Sequence, residues 1–480
     1  MQVHDKLYIG GEWVQPAGSG TIEVISPHTE AVIATVPDGT PADMDRAVEA
    51  ARRAFDEGPW PRLAPAERLE IVQRFADRYA AGMMELAQVI TDEMGSPITF
   101  SQLAQTPTPW MMLNAFIAMG RELEWEQERA GVFGSNVIVR REPVGVVAAI
   151  APWNVPQFTT MSKLAPALVS GCTMVIKPSP ETPLDMYVVA EWLQEAGVPE
   201  GVVNVVPAGR EAGEHLVRHL GVDKVAFTGS TAAGQRIASI CGEQLKRFSL
   251  ELGGKSAAIV LDDADLDATI EGLKFASLMN NGQACVAQTR ILASRSRYDD
   301  VVDALAQTVE GITIGDPADP ATEVGPLVAE RQQERVEKYI ALGQEEGARV
   351  VAGGSGRPAG FDKGWYVQPT VFADVDNKMR IAQEEIFGPV LAVIPYDDVD
   401  DAVRIANDSD YGLAGSVWTA DAEVGMDIAR RVRTGTYGIN QYLIDFNAPF
   451  GGYKHSGVGR EFGVEGLEHY FELKTIAPKA

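Results

Sequence analysis

Cys285 stands in Asn280-Asn281-Gly282-Gln283-Ala284-Cys285-Val286, between the polar end of a helical run and a strand, among small residues that leave its sulfur open to a carbonyl carbon. A thiol can add to such a carbon and hold the acyl group as a thioester, but a free cysteine of pKa ~8.5 is only a few per cent thiolate at neutral pH, so its surroundings must favour the anion. The Gly282-Gln283 pair predicts a tight loop that presents the thiol. Cys172, before the apolar run 173–176, and Cys241, at a helix end, read as small buried hydrophobes. A lone cysteine is more often packing than nucleophile, and Cys285 taken alone leaves both readings open.

The second chemistry-bearing stretch runs from Lys224 through Thr228, Gly229 and Ser230 to Gly234, a strand followed by a glycine turn and a helix. That order aims backbone N–H groups and a positive helix end at an anion such as a pyrophosphate. The spacing is G-x-x-x-x-G rather than G-x-G-x-x-G, and a glycine turn before a helix is also common packing chemistry. Glu251 lies 22 residues after Gly229 (251 minus 229), close to where a dinucleotide fold places its ribose-binding acid. The same carboxylate could serve as a general base, and spacing does not choose between the two. The six histidines are scattered, and His215 with His219 lacks the acid of a metalloprotease motif, so no metal site is expected.

These residues need elements to hold them. From Val144 onward, short β-branched runs alternate with helix-length segments, the pattern of parallel strands joined by crossover helices. Strands are expected at 144–151, 173–177, 202–206, 224–228 and 248–251, with helices at 163–168, 184–196, 212–219 and 232–240, forming a doubly wound sheet. A boundary is expected at Gly253-Gly254, where paired glycines would permit a sharp reversal. A second α/β series follows, with strands 256–261, 290–293, 391–395 and 414–418 and helices 266–279 and 298–309. Helices 43–55 and 65–94 are expected to pack on the first sheet, and 352–364 reads as a surface loop.

Bulk properties set limits. A chain of 480 residues exceeds a single core, and 45% hydrophobic with 22% charged residues is globular composition. A formal charge of −26 repels nucleic acid and anionic membranes, which points to small-molecule partners. Three cysteines make no disulfide framework, Met1–Val14 is no export signal, and the longest apolar run, 144–153, is too short to span a bilayer, so a cytoplasmic protein is expected.

Seven stretches, in order, carry a resemblance that runs almost end to end: Pro152-Trp153-Asn154, Lys177-Pro178-Ser179, Phe227-Thr228-Gly229-Ser230-Thr231, Glu251-Leu252-Gly253-Gly254-Lys255, Asn281-Gly282-Gln283-Ala284-Cys285, Glu384-Glu385-Ile386-Phe387-Gly388-Pro389 and Pro449-Phe450-Gly451-Gly452-Tyr453-Lys454-His455-Ser456-Gly457. The chain resembles the aldehyde dehydrogenase superfamily of the NAD(P)-dependent, non-acylating type. The resemblance implies an α/β fold: a Rossmann-like doubly wound cofactor domain (1–123 and 142–253), a second α/β catalytic domain (254–455) and a small oligomerisation β-element (124–141 and 456–480) of a homodimer or homotetramer. It implies Cys285 as nucleophile, Glu251 as general base, and Asn154 as oxyanion donor beside the amide of Cys285. For the cofactor it implies Lys177 at the adenosine ribose, Ser230 at the pyrophosphate, Glu385 and Phe387 at the nicotinamide riboside, and Trp153, Ser179, Gly229 and Gly234 in the same site.

The implied reaction oxidises an aldehyde to an acid. Thiol addition gives an oxyanion, its collapse expels hydride to the nicotinamide, and water activated by Glu251 hydrolyses the thioester. The chain departs from many relatives at Pro180, where a glutamate would hold the adenosine ribose; Glu181 follows it, so NAD is expected, with NADP as the alternative. Val155 and Ser162 occupy tunnel positions that are often aromatic in relatives, and Trp110, Tyr442 and Phe446 are expected to line an apolar pocket. The competing readings are a structural family member, a cysteine esterase without redox chemistry, and a CoA-acylating enzyme; retention of Glu251 speaks for water over CoA.

Overall fold

The computed structural model describes residues 1–478. Five strands, each parallel to its neighbours, run Arg247–Glu251, Lys224–Thr228, Val146–Ile150, Thr173–Lys177 and Val203–Val205 across one sheet. Most of their residues are buried, as strands covered by helices on both faces must be. The antiparallel pair Leu7–Ile9 and Glu12–Val14 extends one edge, and Gly457–Val458 pairs antiparallel with Leu250 and Glu251 on the other. Chain order starts in the middle at Val146–Ile150, proceeds outward to one side, then returns to Lys224–Thr228. The switch point therefore falls between those two strands, and a crevice opens beyond their carboxyl ends.

A second, seven-stranded sheet runs Arg349–Ala352, Thr370–Ala373, Val390–Tyr396, Arg290–Ser294, Ala257–Val260, Gly415–Trp418 and Gly438–Ile439. Its approach to the first sheet is the reverse of an ordinary nucleotide fold. Gly254 and Cys285 precede the strands Ala257–Val260 and Arg290–Ser294, so amino ends of this sheet meet carboxyl ends of the other. A third sheet joins Glu126–Arg129, Val137–Pro143 and Phe471–Ile476. Of the segment 456–480, only 471–476 joins it; residues 479–480 lie outside the described residues.

Several expectations need correcting. Helix Pro41–Asp56, started by a Thr40–Asp43 capping box with Pro41 in its first turn, does pack on the first sheet. Helix Pro65–Met94 instead lies mainly against the helices Pro107–Glu122, Pro156–Ser170 and Leu184–Glu195, one layer further out. Pro156–Ser170 is much longer than the expected 163–168, because it is buried on every face and carries no amphipathic period to read. Gly253 and Gly254 make no left-handed reversal. They are small because their neighbours crowd them: a Cβ on Gly253 would fall 2.5 Å from Glu385 Oε2, and one on Gly254 would fall 2.4 Å from the carbonyl oxygen of Cys285.

Candidate active site

Three successive residues, Asn280 (φ 56°), Asn281 (φ 62°) and Gly282 (φ 74°), take the left-handed conformation and turn the chain sharply before Cys285. Asparagine tolerates this region better than other side-bearing residues, and its amide can hold the strained turn. Asn281 does so by donating to the carbonyls of Gly95 (3.0 Å) and Pro326 (2.9 Å) and accepting from Gly325 N (2.7 Å). Gln283 Oε1 accepts from Val328 N at 3.1 Å. A Cβ on Gly282 would collide with Gly388 and Pro389, so the loop is seated directly on that turn. The expected tight loop is present, built mainly by the two asparagines.

Asn154, buried on the loop after Val146–Ile150, is tied to this turn from both ends. Its Nδ2 donates to Gln283 O at 2.9 Å, while its own carbonyl accepts from Asn280 Nδ2 at 2.7 Å. Among the described residues, neither its second Nδ2 hydrogen nor the amide of Cys285 has a protein acceptor. Both groups are available to an oxygen at the reacting carbon. Cys172 and Cys241 are fully buried, and all three cysteines are free thiols.

Glu251 ends its strand in the cavity that Cys285 also lines. It is buried, and among the described residues neither carboxylate oxygen has a hydrogen-bond partner. Burial first, then the neighbouring Glu461, push its carboxyl well above the ordinary range, against the pull of Lys163 and Arg460. Burial, followed by Glu385 and Glu251, pushes the Cys285 thiol up to about 12, with its own amide working the other way. Burial and the acidic neighbours thus raise both groups, the thiol and the carboxyl.

Sequence reading missed Lys163 and Glu461. Lys163, fully buried, donates to Glu461 Oε1 (2.7 Å), Thr228 Oγ1 (2.6 Å) and Thr159 O (3.0 Å). Glu461 lines the same cavity as Glu251. The partners are 298 residues apart, and the lysine lies in a stretch whose helical face could not be read, so no local signal joined them.

The crevice at the switch point gathers the remaining expected residues. Ser230 caps helix Thr231–Gln244, accepting from Ala233 N. The first two amides of that helix donate to no protein group among the described residues, and Gly229 and Ser230 are at least partly open to solvent. Gly234 is buried against Leu252, a packing role, and neither Gly229 nor Gly234 is left-handed. Glu385 accepts from Gly254 N at 2.9 Å, and Phe387 (φ 67°) meets Trp153 edge-on at 5.4 Å between centroids. Lys177 donates to the carbonyls of Pro178 (2.9 Å) and Ala208 (2.8 Å); burial lowers it to about 8, with Glu181 and Asp38 opposing. Ser179 and Arg331 both bind the carboxylate of Glu181. Burial works to raise that carboxyl, but the two partners outweigh it and hold it below the usual range.

A cavity of about 220 Å³ reaches Cys285 and Glu251. Val155, Tyr442 and Phe446 line it, as expected. Trp110 and Ser162 do not. Trp110 packs against the helical core, and the Ser162 hydroxyl turns back to Thr159 O at 2.9 Å. Both lie on helices, where a side chain one position out of phase faces another layer.

The sequence model of the aldehyde dehydrogenase family matches residues 13–476. Geranial dehydrogenase of Castellaniella defragrans is 49% identical over 98% of each chain, and 3-succinoylsemialdehyde-pyridine dehydrogenase of a Pseudomonas species is 42% identical over 99% of each. Among solved structures, an aldehyde dehydrogenase of Mycobacterium tuberculosis complexed with NAD+ superposes with a TM-score of 0.97 at 51% identity, covering 99% of this chain and 98% of that one. Aldehyde dehydrogenase C of Pseudomonas syringae, complexed with NAD+ and octanal, gives 0.96 at 41%, with the same coverage of both chains.

Proposed function

Since the chain belongs to the aldehyde dehydrogenase family and oxidises an aldehyde with NAD(P)+, we propose that Cys285 is its nucleophile, Glu251 its general base and Asn154 its oxyanion donor. The observation that carries this reading is one cavity holding a partly exposed thiol from one sheet and, from the other, a carboxylate with both oxygens free. Cys285 Sγ attacks the carbonyl carbon as its proton passes to solvent through the open cavity, and the new oxyanion accepts from Asn154 Nδ2 and the Cys285 amide. When bound, the nicotinamide supplies the acceptor for the hydride that leaves this centre. The thioester on Cys285 is then attacked by water whose proton Glu251 takes and passes to the departing sulfur, releasing the acid and restoring the thiol. Burial and the neighbouring Glu461, itself held by Lys163, raise the Glu251 carboxyl, which accepts the water proton in its ionised form.

The crevice fits a dinucleotide. The two free amides and Ser230 at the start of Thr231–Gln244 suit a pyrophosphate, and Glu385, steered by Gly254 N–H, suits a ribose near Trp153 and Phe387. At the other end Lys177 and Ser179 face the adenosine ribose. The ionised Glu181 beside Ser179 supports NAD over NADP, because it repels a 2′-phosphate; equal kcat/KM with the two cofactors would refute this. Residues 1–123 with 142–253 form the cofactor domain, and 254–455 the catalytic one. The third sheet, with 124–141, joins a second copy in a homodimer or homotetramer: Glu126–Arg129 is an edge strand whose outer side is unpaired among the described residues, and Val132 and Phe133 beyond it are 92% and 99% exposed. Light scattering that returned the mass of one chain would overturn this assignment. Three free thiols agree with a reducing cytoplasm.

Reduced-nicotinamide absorbance tests the roles. Cys285→Ala should form none. Glu251→Gln should give a burst of about one equivalent and then stall, because acylation survives and hydrolysis does not. Oxidation by Cys285→Ala, or full steady-state turnover by Glu251→Gln at neutral pH, overturns the respective role. Stalling that only CoA relieves, already in the unmodified protein, would establish acyl transfer to CoA instead.

A further inference from the structure

We propose that the aldehyde this site takes best is uncharged and apolar, with a chain of about seven carbons. This rests on the reaction assigned above and deepens it. Among the described residues, the only charged groups lining the cavity are Glu251 and Glu461, both at its reacting end and both acidic. Among the described residues no cation lines it to receive a substrate carboxylate, since Lys163 lies behind Glu461 and Thr228 with its ammonium already taken. Polar hydrogens along the wall are turned away: Thr108 Oγ1 donates to Ala104 O (2.6 Å), Thr159 Oγ1 to Val155 O (3.1 Å), and Gln105 Nε2 toward Asn280 Oδ1 and Asn154 O (3.3 and 3.4 Å). One amide oxygen, Gln105 Oε1, is left unpaired, and as an acceptor it offers nothing to an anion. The rest of the wall is aliphatic and aromatic, with Phe158, Phe446 and Phe450 packed deep and Phe275 and Leu443, 51% and 70% exposed, at the open end.

Size follows from volume. A water-sized group takes up ~30 Å³ of liquid, so about 220 Å³ holds roughly seven such groups. A short aldehyde would leave most of the apolar wall unburied. Each methylene drawn from water onto such a wall is worth about fourfold in affinity for the transition state, whereas an unpaired charge is costly to bury.

The test is a series of straight-chain aldehydes from two to ten carbons, with ω-carboxylated and ω-ammonium counterparts, read as kcat/KM from reduced-nicotinamide absorbance. Calorimetric binding of the same series to Cys285→Ala reads the cavity without turnover. We expect kcat/KM and affinity to climb about fourfold per carbon up to about seven to nine carbons, and to fall at least ~100-fold when the far end is charged. Val155→Phe, which narrows the wall, should reverse the ranking of nine-carbon against three-carbon aldehydes, an effect that general damage would not produce. Binding that tightens with length without any turnover would leave the substrate class standing and sink the reaction assignment. Turnover that is flat with length, or that favours a charged aldehyde, would do the opposite.

Discussion

Removing the side chain of Asn154 separates catalysis from structure. Its Nδ2 has two hydrogens, one spent on Gln283 O at 2.9 Å and one available to the developing oxyanion. Asn154→Ala loses both. The structural loss is cushioned, because Gln283 O still accepts from Asn280 Nδ2 at 3.2 Å, and the Asn154 carbonyl, which belongs to the backbone, keeps its bonds to Asn280 and Gln105. One buried hydrogen bond is worth about 1 kcal/mol, a shift in melting temperature of no more than about 2–4 °C in a domain of ordinary size. The catalytic loss is larger: an oxyanion donor typically contributes about 2.7–4 kcal/mol, or ~10²–10³ in rate. We therefore expect kcat/KM for aldehyde oxidation to fall ~10²–10³-fold while the thermal midpoint moves by a few degrees at most. Because an activated ester also passes through an oxyanion on Cys285, cofactor-free ester hydrolysis should fall by a similar factor. A loss below tenfold in both assays, or one confined to KM, would refute the placement of the oxyanion.

The raised carboxyl of Glu251 fixes the sign of a pH effect. It is inactive as a base while protonated, so thioester hydrolysis should rise with pH through a value above the ordinary carboxylate range. Glu461→Gln removes the negative neighbour that helps raise it, and should move this acidic limb to lower pH in pH-resolved kcat; an unmoved or oppositely moved limb would show that the two carboxylates are not coupled. Cys285, pushed up to about 12, should react with iodoacetamide at pH 7 roughly two to three orders of magnitude more slowly than an ordinary exposed thiol, and about tenfold faster for each pH unit gained. Mass spectrometry of the alkylated peptide would reveal any rapid labelling at neutral pH, which would mean that a cation near the sulfur has been overlooked.

What could be read from sequence was what local chemistry dictates. Thr173–Lys177 and Lys224–Thr228 announce themselves because a strand buried on both faces must be apolar along its length, and the structure places both where they were read. Pro156–Ser170 carries no such signal: buried all round and interrupted by Pro166, it shows only a fragment of a helix to a periodicity argument. Glycines were read for the wrong property. Gly253 and Gly254 suggested a reversal, whereas close approach by Glu385 and Cys285 explains them; the left-handed bend falls instead on Asn280 and Asn281, whose amides looked merely polar. The two roles open to Glu251 could not be separated by counting residues. Its strand end faces the cavity of Cys285, and that depends on how two sheets meet.

That meeting also accounts for the chemistry. Carboxyl ends of the first sheet deliver Asn154, Thr228 and Glu251, while the loop entering a strand of the second delivers Cys285. A group at such a junction is covered from both sides, and burial is the first cause raising both the thiol and the carboxyl. Burial makes the charged form of each group costly, so the charge that develops during the reaction is favoured where Asn154 N–H and the Cys285 amide can receive it. The same burial that lowers the reactivity of Cys285, together with the apolar cavity wall, favours an apolar substrate. It follows that changes which wet the cavity, such as Phe446→Ala, should raise the idle reactivity of the thiol while lowering turnover of long aldehydes. The two effects should rise and fall together across a series of wall substitutions, because the apolar covering of the cavity bears on both.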